Sequence, residues 1–171
     1  MPKKSAGILL YRPGQQVEVM LVHPAGPYLA HKDKGAWSIP KGEFDDKEEE
    51  PLEAARREFA EETGQQVPDT PDSDEGPIDL GTVKLSNGKI IYIFAIQGEI
   101  DADHIISNMF TIEWPPKSEN QQEFPEVDRA EWLTFDQAMA KLHPSLIPFL
   151  ERLAKELGLE FSSPTQVSMF D

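Results

Sequence analysis

The sequence contains no cysteine in its 171 residues. This absence excludes disulfide bonds, thiolate catalysis and cysteine-based zinc or iron–sulfur sites. Basic residues are also scarce, because 16 lysines and arginines stand against 31 acidic residues and leave a net charge of −15. So acidic a surface disfavours binding to duplex DNA, RNA or anionic membranes, which require clustered lysine and arginine.

Long hydrophobic runs are missing as well. The first residues include two lysines but only a short apolar stretch before Arg12, too short for a signal peptide or a membrane span. We therefore expect a cytoplasmic protein. The chain is long enough to bury one real core, which we place in a single domain at residues 1–158, followed by a tail at 159–171.

Alternating and apolar segments predict a series of strands followed by helices. The predicted strands are residues 5–11, 17–23, 37–39, 82–86, 89–97, 108–114 and 127–133. Asn87-Gly88 indicates a type I′ hairpin turn, and residues 24–36, 65–77 and 115–125 are expected to be loops. The predicted helices are residues 51–63, 134–142 after a Thr134 cap, and 146–157 after a Ser145 cap. This order predicts an α/β sandwich.

The most informative segment is residues 40–64, PKGEFDDKEEEPLEAARREFAEETG. Within its predicted helix, Glu58, Glu61 and Glu62 have i, i+3 and i+4 spacing and share one face. Like charges this close destabilise an isolated helix, whereas grouped carboxylates suit a hard cation such as magnesium. The segment therefore indicates metal-assisted chemistry on a phosphate substrate. A solvated helix with Arg–Glu pairs is the alternative interpretation.

The same segment resembles the Nudix box. That pattern is Gly, five residues, Glu, seven residues, then Arg-Glu-apolar-any-Glu-Glu-any-Gly-apolar. The matching residues are Gly42, Arg57, Glu58, Phe59, Glu61, Glu62 and Gly64. Two departures exist. Gly42 and Arg57 are 15 positions apart instead of 14, so the first Glu of the box is either Glu48 or Glu49, and Gln65 occupies the final apolar position.

The resemblance implies an α/β/α sandwich with a mixed central sheet and hydrolysis of a nucleoside diphosphate linked to another group. Glu58, Glu61 and Glu62, together with the Gly42 carbonyl, would hold Mg²⁺, with Mn²⁺ as an alternative ion. Arg57 would orient the carboxylates through charge-assisted hydrogen bonds. The expected partner is a small nucleotide, without a nucleic acid polymer or a membrane.

Residues before the box are candidates for substrate binding. Lys41 is placed to meet a phosphate oxygen, and Trp37 would either stack on a base or, as we favour, pack in the core. His31, Lys32 and Lys34 form a basic cluster that either contacts distal phosphates or is a solvated loop.

The late segment QEFPEVDRAEWL resembles that of the diadenosine polyphosphate hydrolases. The resemblance implies a further metal ligand or general base there, with Glu123 and Glu126 as candidates and Glu126 preferred. It favours dinucleoside polyphosphates such as diadenosine tetraphosphate as substrates. The alternatives are a nucleoside triphosphate pyrophosphohydrolase, including one acting on damaged nucleotides, and a nucleotide-sensing or protein-binding module without catalysis.

Overall fold

A mixed sheet with β1 (Lys4–Arg12) at its centre organises the fold. This computed structural model describes residues 2–68 and 76–160. The other strands are β2 (Glu18–Pro24), β3 (Lys41–Phe44), β4 (Ile78–Lys84), β5 (Ile90–Gln97), β6 (Met109–Glu113), β7 (Gln121–Pro125) and β8 (Val127–Thr134). The helices are α1 (Pro51–Thr63), α2 (Phe135–Lys141) and α3 (Ile147–Glu156), with a 3-10 turn at Pro144–Leu146 before α3.

The sheet order is β4-β5-β1-β2-β8, and β1 runs parallel to β5 but antiparallel to β2. Strand β3 pairs with the first half of β1, so that Gly42 lies opposite Ala6. This approach requires Gly7, because a Cβ atom built there would lie 2.3 Å from the Pro40 carbonyl oxygen. Strands β6 and β7 form a separate two-stranded sheet.

Alternation along the strands covers both faces of the sheet with apolar side chains. Ala6, Ile8 and Leu10 of β1 pack in the core that contains α1, whereas Leu9 and Tyr11 pack in the core that contains α2 and α3. This arrangement confirms the predicted α/β/α sandwich with a mixed central sheet. No described helix combines the length and apolar character needed to cross a membrane.

The predicted helix 51–63 is confirmed, as is the Thr134 cap, whose side chain accepts from the backbone N–H of Gln137. Ser145 is not the cap of α3, because the 3-10 turn comes first and His143 accepts from the Ser145 N–H. Parts of the predicted loop 65–77 and tail 159–171 lie outside the described residues.

Three other predictions need correction. Residues 121–125 form β7 because they pair with β6, and pairing to a distant strand is not visible in local sequence. Residues 37–39 do not form the predicted strand. They make isolated β-bridges at Trp37 and Ser38, and the next strand along the chain is β3. The turn at Asn87-Gly88 is not type I′, because a type I′ turn needs positive φ at both central residues. Among described residues, positive φ occurs here only at Gly88, whose N–H donates to the Leu85 carbonyl.

Candidate active site

Helix α1 carries three of the candidate carboxylates and lies directly on the sheet. Its small buried residues Ala54 and Ala55 allow a close approach, and Phe59 fills the space beside them. Gly64 ends the helix with a φ of 75°, and its N–H donates to the Ala60 carbonyl over 2.8 Å. The three glutamates lie at the rim of this packing surface and are half-buried.

Arg57 ties the carboxylates of the box together. Its Nε and Nη2 donate to the two Glu49 oxygens at 2.9 and 2.8 Å, which makes a bidentate pair. Its Nη1 donates to Glu58 Oε1 at 2.8 Å and to Glu61 Oε2 at 3.2 Å. Glu49 and, to a smaller extent, Glu58 raise the pKa of Arg57 above its ordinary value. Glu49 therefore takes the first Glu position of the box, while Glu48 is exposed, and the extra residue lies between Gly42 and Glu49.

Gly42 is required by the position of Glu58. A Cβ atom built on Gly42 would lie 2.0 Å from Glu58 Oε2, so any larger residue would displace that carboxylate. Strand β3 thus brings the Gly42 backbone into direct contact with the carboxylate face of α1. Burial raises the pKa of Glu58, and the Arg57 hydrogen bond opposes that shift.

Among the described carboxyl groups, Glu62 has the most strongly raised pKa. Its Oε2 accepts the backbone N–H of Lys41 at 3.1 Å. Burial raises the pKa of Glu62 to about 8, with smaller contributions in the same direction from the charges of Glu126 and Glu58. The Lys41 ammonium opposes this rise, and burial in turn lowers the pKa of Lys41. A carboxyl group whose charge is this costly has reason to bind a cation.

Glu126 joins the cluster from the connection between β7 and β8. Its side chain is exposed, but neighbouring atoms partly shield its carboxyl group from water. This shielding and then the charge of Glu61 raise the pKa of Glu126. Glu123 instead lies on β7 opposite Thr111 and is exposed. Of the two late candidates, Glu126 is therefore the one near the α1 carboxylates.

Comparison with known proteins identifies the family. The NUDIX domain model matches residues 1–153. The chain belongs to the NUDIX family. No curated protein sequence matches it.

Solved structures with the same fold include three of particular interest. The NUDIX domain of Shewanella oneidensis NrtR, complexed with ADP ribose, is 19% identical with a TM-score of 0.59, over 92% of this chain and 89% of that one. A C. elegans Ap4A hydrolase binary complex is 18% identical with a TM-score of 0.55, over 90% and 98%. The C-terminal domain of mouse MUTYH, complexed with human PCNA, is 15% identical with a TM-score of 0.57, over 98% of both chains.

As a NUDIX hydrolase, the protein acts on acid anhydrides. The oxygen donors of Glu58, Glu61 and Glu62 suit a hard divalent cation. A cation would also offset the burial and, to a smaller extent, the repulsion from Glu126 and Glu58 that raise the pKa of Glu62. The donor set therefore fits a metal.

The carboxylate oxygens that would bind the metal do not point toward one common position in this structure. In the described residues no three histidine or acidic side chains are grouped in a metal-binding arrangement. Glu58 and Glu61 bond to Arg57, and Glu62 bonds to the Lys41 N–H. Metal binding in this NUDIX protein therefore requires these side chains to move closer together than they are here.

Trp37 belongs to the core, the interpretation that we favoured, which corrects its alternative role in substrate binding. Its side chain is 0% exposed, and its Nε1 donates to Asp33 Oδ1 at 2.7 Å. The ring packs edge-on against His23 at 5.0 Å between centroids, and the Arg129 guanidinium lies 5.1 Å from it. A buried ring offers no face to a nucleotide base.

The basic loop residues His31 and Lys32 are exposed. Among the described residues no hydrogen bond or ion pair joins their side chains to the carboxylates, so their phosphate-binding role stays a prediction. Buried His23 was not among the predicted site residues. Its Nδ1 lies 2.9 Å from Asp128 Oδ1, and its Nε2 contacts the Lys32 carbonyl. Its only signal was a histidine closing an apolar strand. His23 thus fixes the backbone of the basic loop at Lys32.

Proposed function

We propose that this NUDIX hydrolase is magnesium-dependent and cleaves dinucleoside polyphosphates such as diadenosine tetraphosphate. The observation that carries the proposal is the gathering of Glu58, Glu61, Glu62 and Glu126, with burial and mutual charge raising the pKa of Glu62 to about 8. A binding module without catalysis has no need of such a costly cluster.

The residues of the box would have two functions, metal binding and orientation of the metal-binding carboxylates. Glu58, Glu61, Glu62 and the Gly42 carbonyl would hold Mg²⁺, or Mn²⁺ in its place. When bound, the ion supplies charge stabilisation for the attacking and leaving oxygens at phosphorus. Arg57 limits the orientations of Glu58 and Glu61 through its Nη1 hydrogen bonds.

Glu126 would act as general base. Its carboxylate would accept a proton from the water that attacks phosphorus, and its raised pKa brings it closer to neutral pH, where a general base works best. Glu126 comes from the β7–β8 connection, whereas Glu58, Glu61 and Glu62 come from α1.

The choice of a long polyphosphate has separate support. A net charge of −15 repels anions, so a polyphosphate needs local cationic partners besides the metal. Exposed His31 and Lys32 would contact distal phosphates, and Lys41 would contact a phosphate nearer the box. The fold shared with the C. elegans Ap4A hydrolase over 98% of that chain is compatible with this assignment.

A nucleotide panel tests the proposal. The purified protein is incubated with diadenosine tetraphosphate, nucleoside triphosphates and ADP-ribose, with Mg²⁺ or with a chelator, and products are separated by chromatography. Diadenosine tetraphosphate converted to ATP and AMP only with Mg²⁺ is the expected result. A triphosphate converted to monophosphate and pyrophosphate would identify the alternative hydrolase. Nucleotide binding without any product would contradict catalysis.

A further inference from the structure

A short segment, Ile106–Asn108, connects the end of α1 to Glu126 through the backbone. The Ile106 N–H donates to the Thr63 carbonyl and the Asn108 N–H donates to the Glu61 carbonyl, both at 3.0 Å. These carbonyls belong to the last turn of α1, where no partner is available within the helix. The Asn108 carbonyl then accepts the Glu126 N–H at 2.9 Å. The backbone of one residue, Asn108, thus links the backbones of Glu61 and Glu126.

The Ser107 hydroxyl forms two hydrogen bonds next to the Asn108–Glu126 hydrogen bond. Ser107 Oγ accepts the Val127 N–H at 3.0 Å and donates to the Asn108 carbonyl at 2.8 Å. The Glu126 N–H therefore donates to the Asn108 carbonyl, and the Val127 N–H donates to the Ser107 hydroxyl, so two adjacent residues satisfy both groups. The Glu126 carbonyl is fixed as well, since it accepts the Ala25 N–H at 3.1 Å.

The seating of the segment on α1 requires glycine at position 64. Gly64 has a φ of 75°, a backbone conformation that other residues adopt at a cost. A Cβ atom built there would lie 2.7 Å from the Ile106 carbonyl oxygen and 2.9 Å from the Ile106 Cβ. The segment is therefore in direct backbone contact with the residue that ends the box.

We propose that Ser107 is a positioning residue that holds Glu126 beside the carboxylates of α1. Its hydroxyl acts through the Asn108 carbonyl and the Val127 N–H, and it does not touch the reacting atoms. The consequence for catalysis rests on the proposed role of Glu126. The consequence for geometry does not, because the four hydrogen bonds around Ser107 and Asn108 exist whatever Glu126 does.

The test compares Ser107→Ala with Ser107→Thr, and uses Ser86→Ala as control because Ser86 is exposed in the β4–β5 turn. Ser107→Ala should lower kcat by about tenfold, the effect of losing one or two supporting hydrogen bonds, and leave KM unchanged. Ser107→Thr should restore kcat because it keeps the hydroxyl. Amide hydrogen exchange by NMR should accelerate in Ser107→Ala at Glu126 and Val127 and remain unchanged elsewhere.

Two outcomes would overturn the inference. One is unchanged exchange at Glu126 and Val127 in Ser107→Ala. The other is accelerated exchange throughout the domain with KM and kcat both altered, which would mean a general structural role. Glu126→Gln, measured alongside, tests the proposed function separately. If it keeps the normal kcat, Glu126 is not the base, and the exchange at its amide still decides whether Ser107 positions it.

Discussion

The two faces of the central sheet differ in what they bury. The face covered by α2 and α3 buries large apolar side chains such as Leu9, Leu21, Phe149 and Leu150. The face covered by α1 has a smaller core built with Ala54 and Ala55, and carboxyl groups line its rim. We conclude that the first face mainly provides stability, whereas the second gives up part of its packing to hold charged groups.

Glu62 shows that charged groups at the rim of the α1 face are unfavourable without a cation. Its pKa of about 8 means that its charged form is poorly stabilised in the folded protein without a cation. Substitutions on the two faces should therefore separate stability from activity, and the following predictions test that separation.

The largest expected effect is on turnover. Glu61→Gln or Glu62→Gln should lower kcat by at least about a hundredfold, because a bound metal supplies several kcal/mol of charge stabilisation at phosphorus. Glu62→Gln should leave the protein at least as stable as before, since it removes a charge that the fold stabilises poorly. Steady-state kinetics and thermal unfolding measure both effects.

Glu53→Gln is the matched control, because Glu53 is on the same helix but exposed. It should change neither turnover nor unfolding by a measurable amount. Near-normal turnover in Glu61→Gln and Glu62→Gln would remove the metal assignment and leave the α1 face without a catalytic role.

On the opposite face, Phe149→Ala should lower the free energy of unfolding by about 3–5 kcal/mol, because it leaves a cavity beneath α3. Phe149 is 0% exposed. At temperatures where the variant stays folded, its kcat should be close to normal. Urea unfolding and kinetics at low temperature are the measurements. A loss of kcat much greater than the unfolded fraction would show that the two faces are coupled.

A smaller effect concerns pH. The Glu62 pKa rises from an ordinary 4.5 to about 8 on folding. Between these values the folded state binds more protons than the unfolded chain, so the free energy of unfolding should fall as the pH rises. The raised pKa values of Glu58 and Glu126 act in the same direction.

Mg²⁺ should reverse this trend, because it binds the deprotonated carboxylates and stabilises the folded state most at the upper end of that range. Thermal unfolding with and without Mg²⁺ across this pH interval provides the test. Glu62→Gln should flatten the pH dependence measured without metal, whereas Glu53→Gln should preserve it. An unchanged slope in Glu62→Gln would show that other groups dominate.

Local sequence predicted the elements whose signals are local. Helix α1 was predicted at its observed bounds because Pro51 and Gly64 mark both ends. Strand β7 was missed because its pairing with β6 is a long-range interaction. For Trp37, core packing could be favoured over base stacking but not decided from sequence, since exposure depends on which distant groups, such as Arg129, cover the ring.

The sequence by itself determined that Glu58, Glu61 and Glu62 share a helix face, because i, i+3 and i+4 spacing is a property of the helix alone. Only the tertiary structure decided what faces them. Glu49 rather than Glu48 meets Arg57, the Lys41 N–H meets Glu62, and Glu126 approaches from another connection. These contacts depend on loop paths and strand pairing, which join residues far apart in the chain.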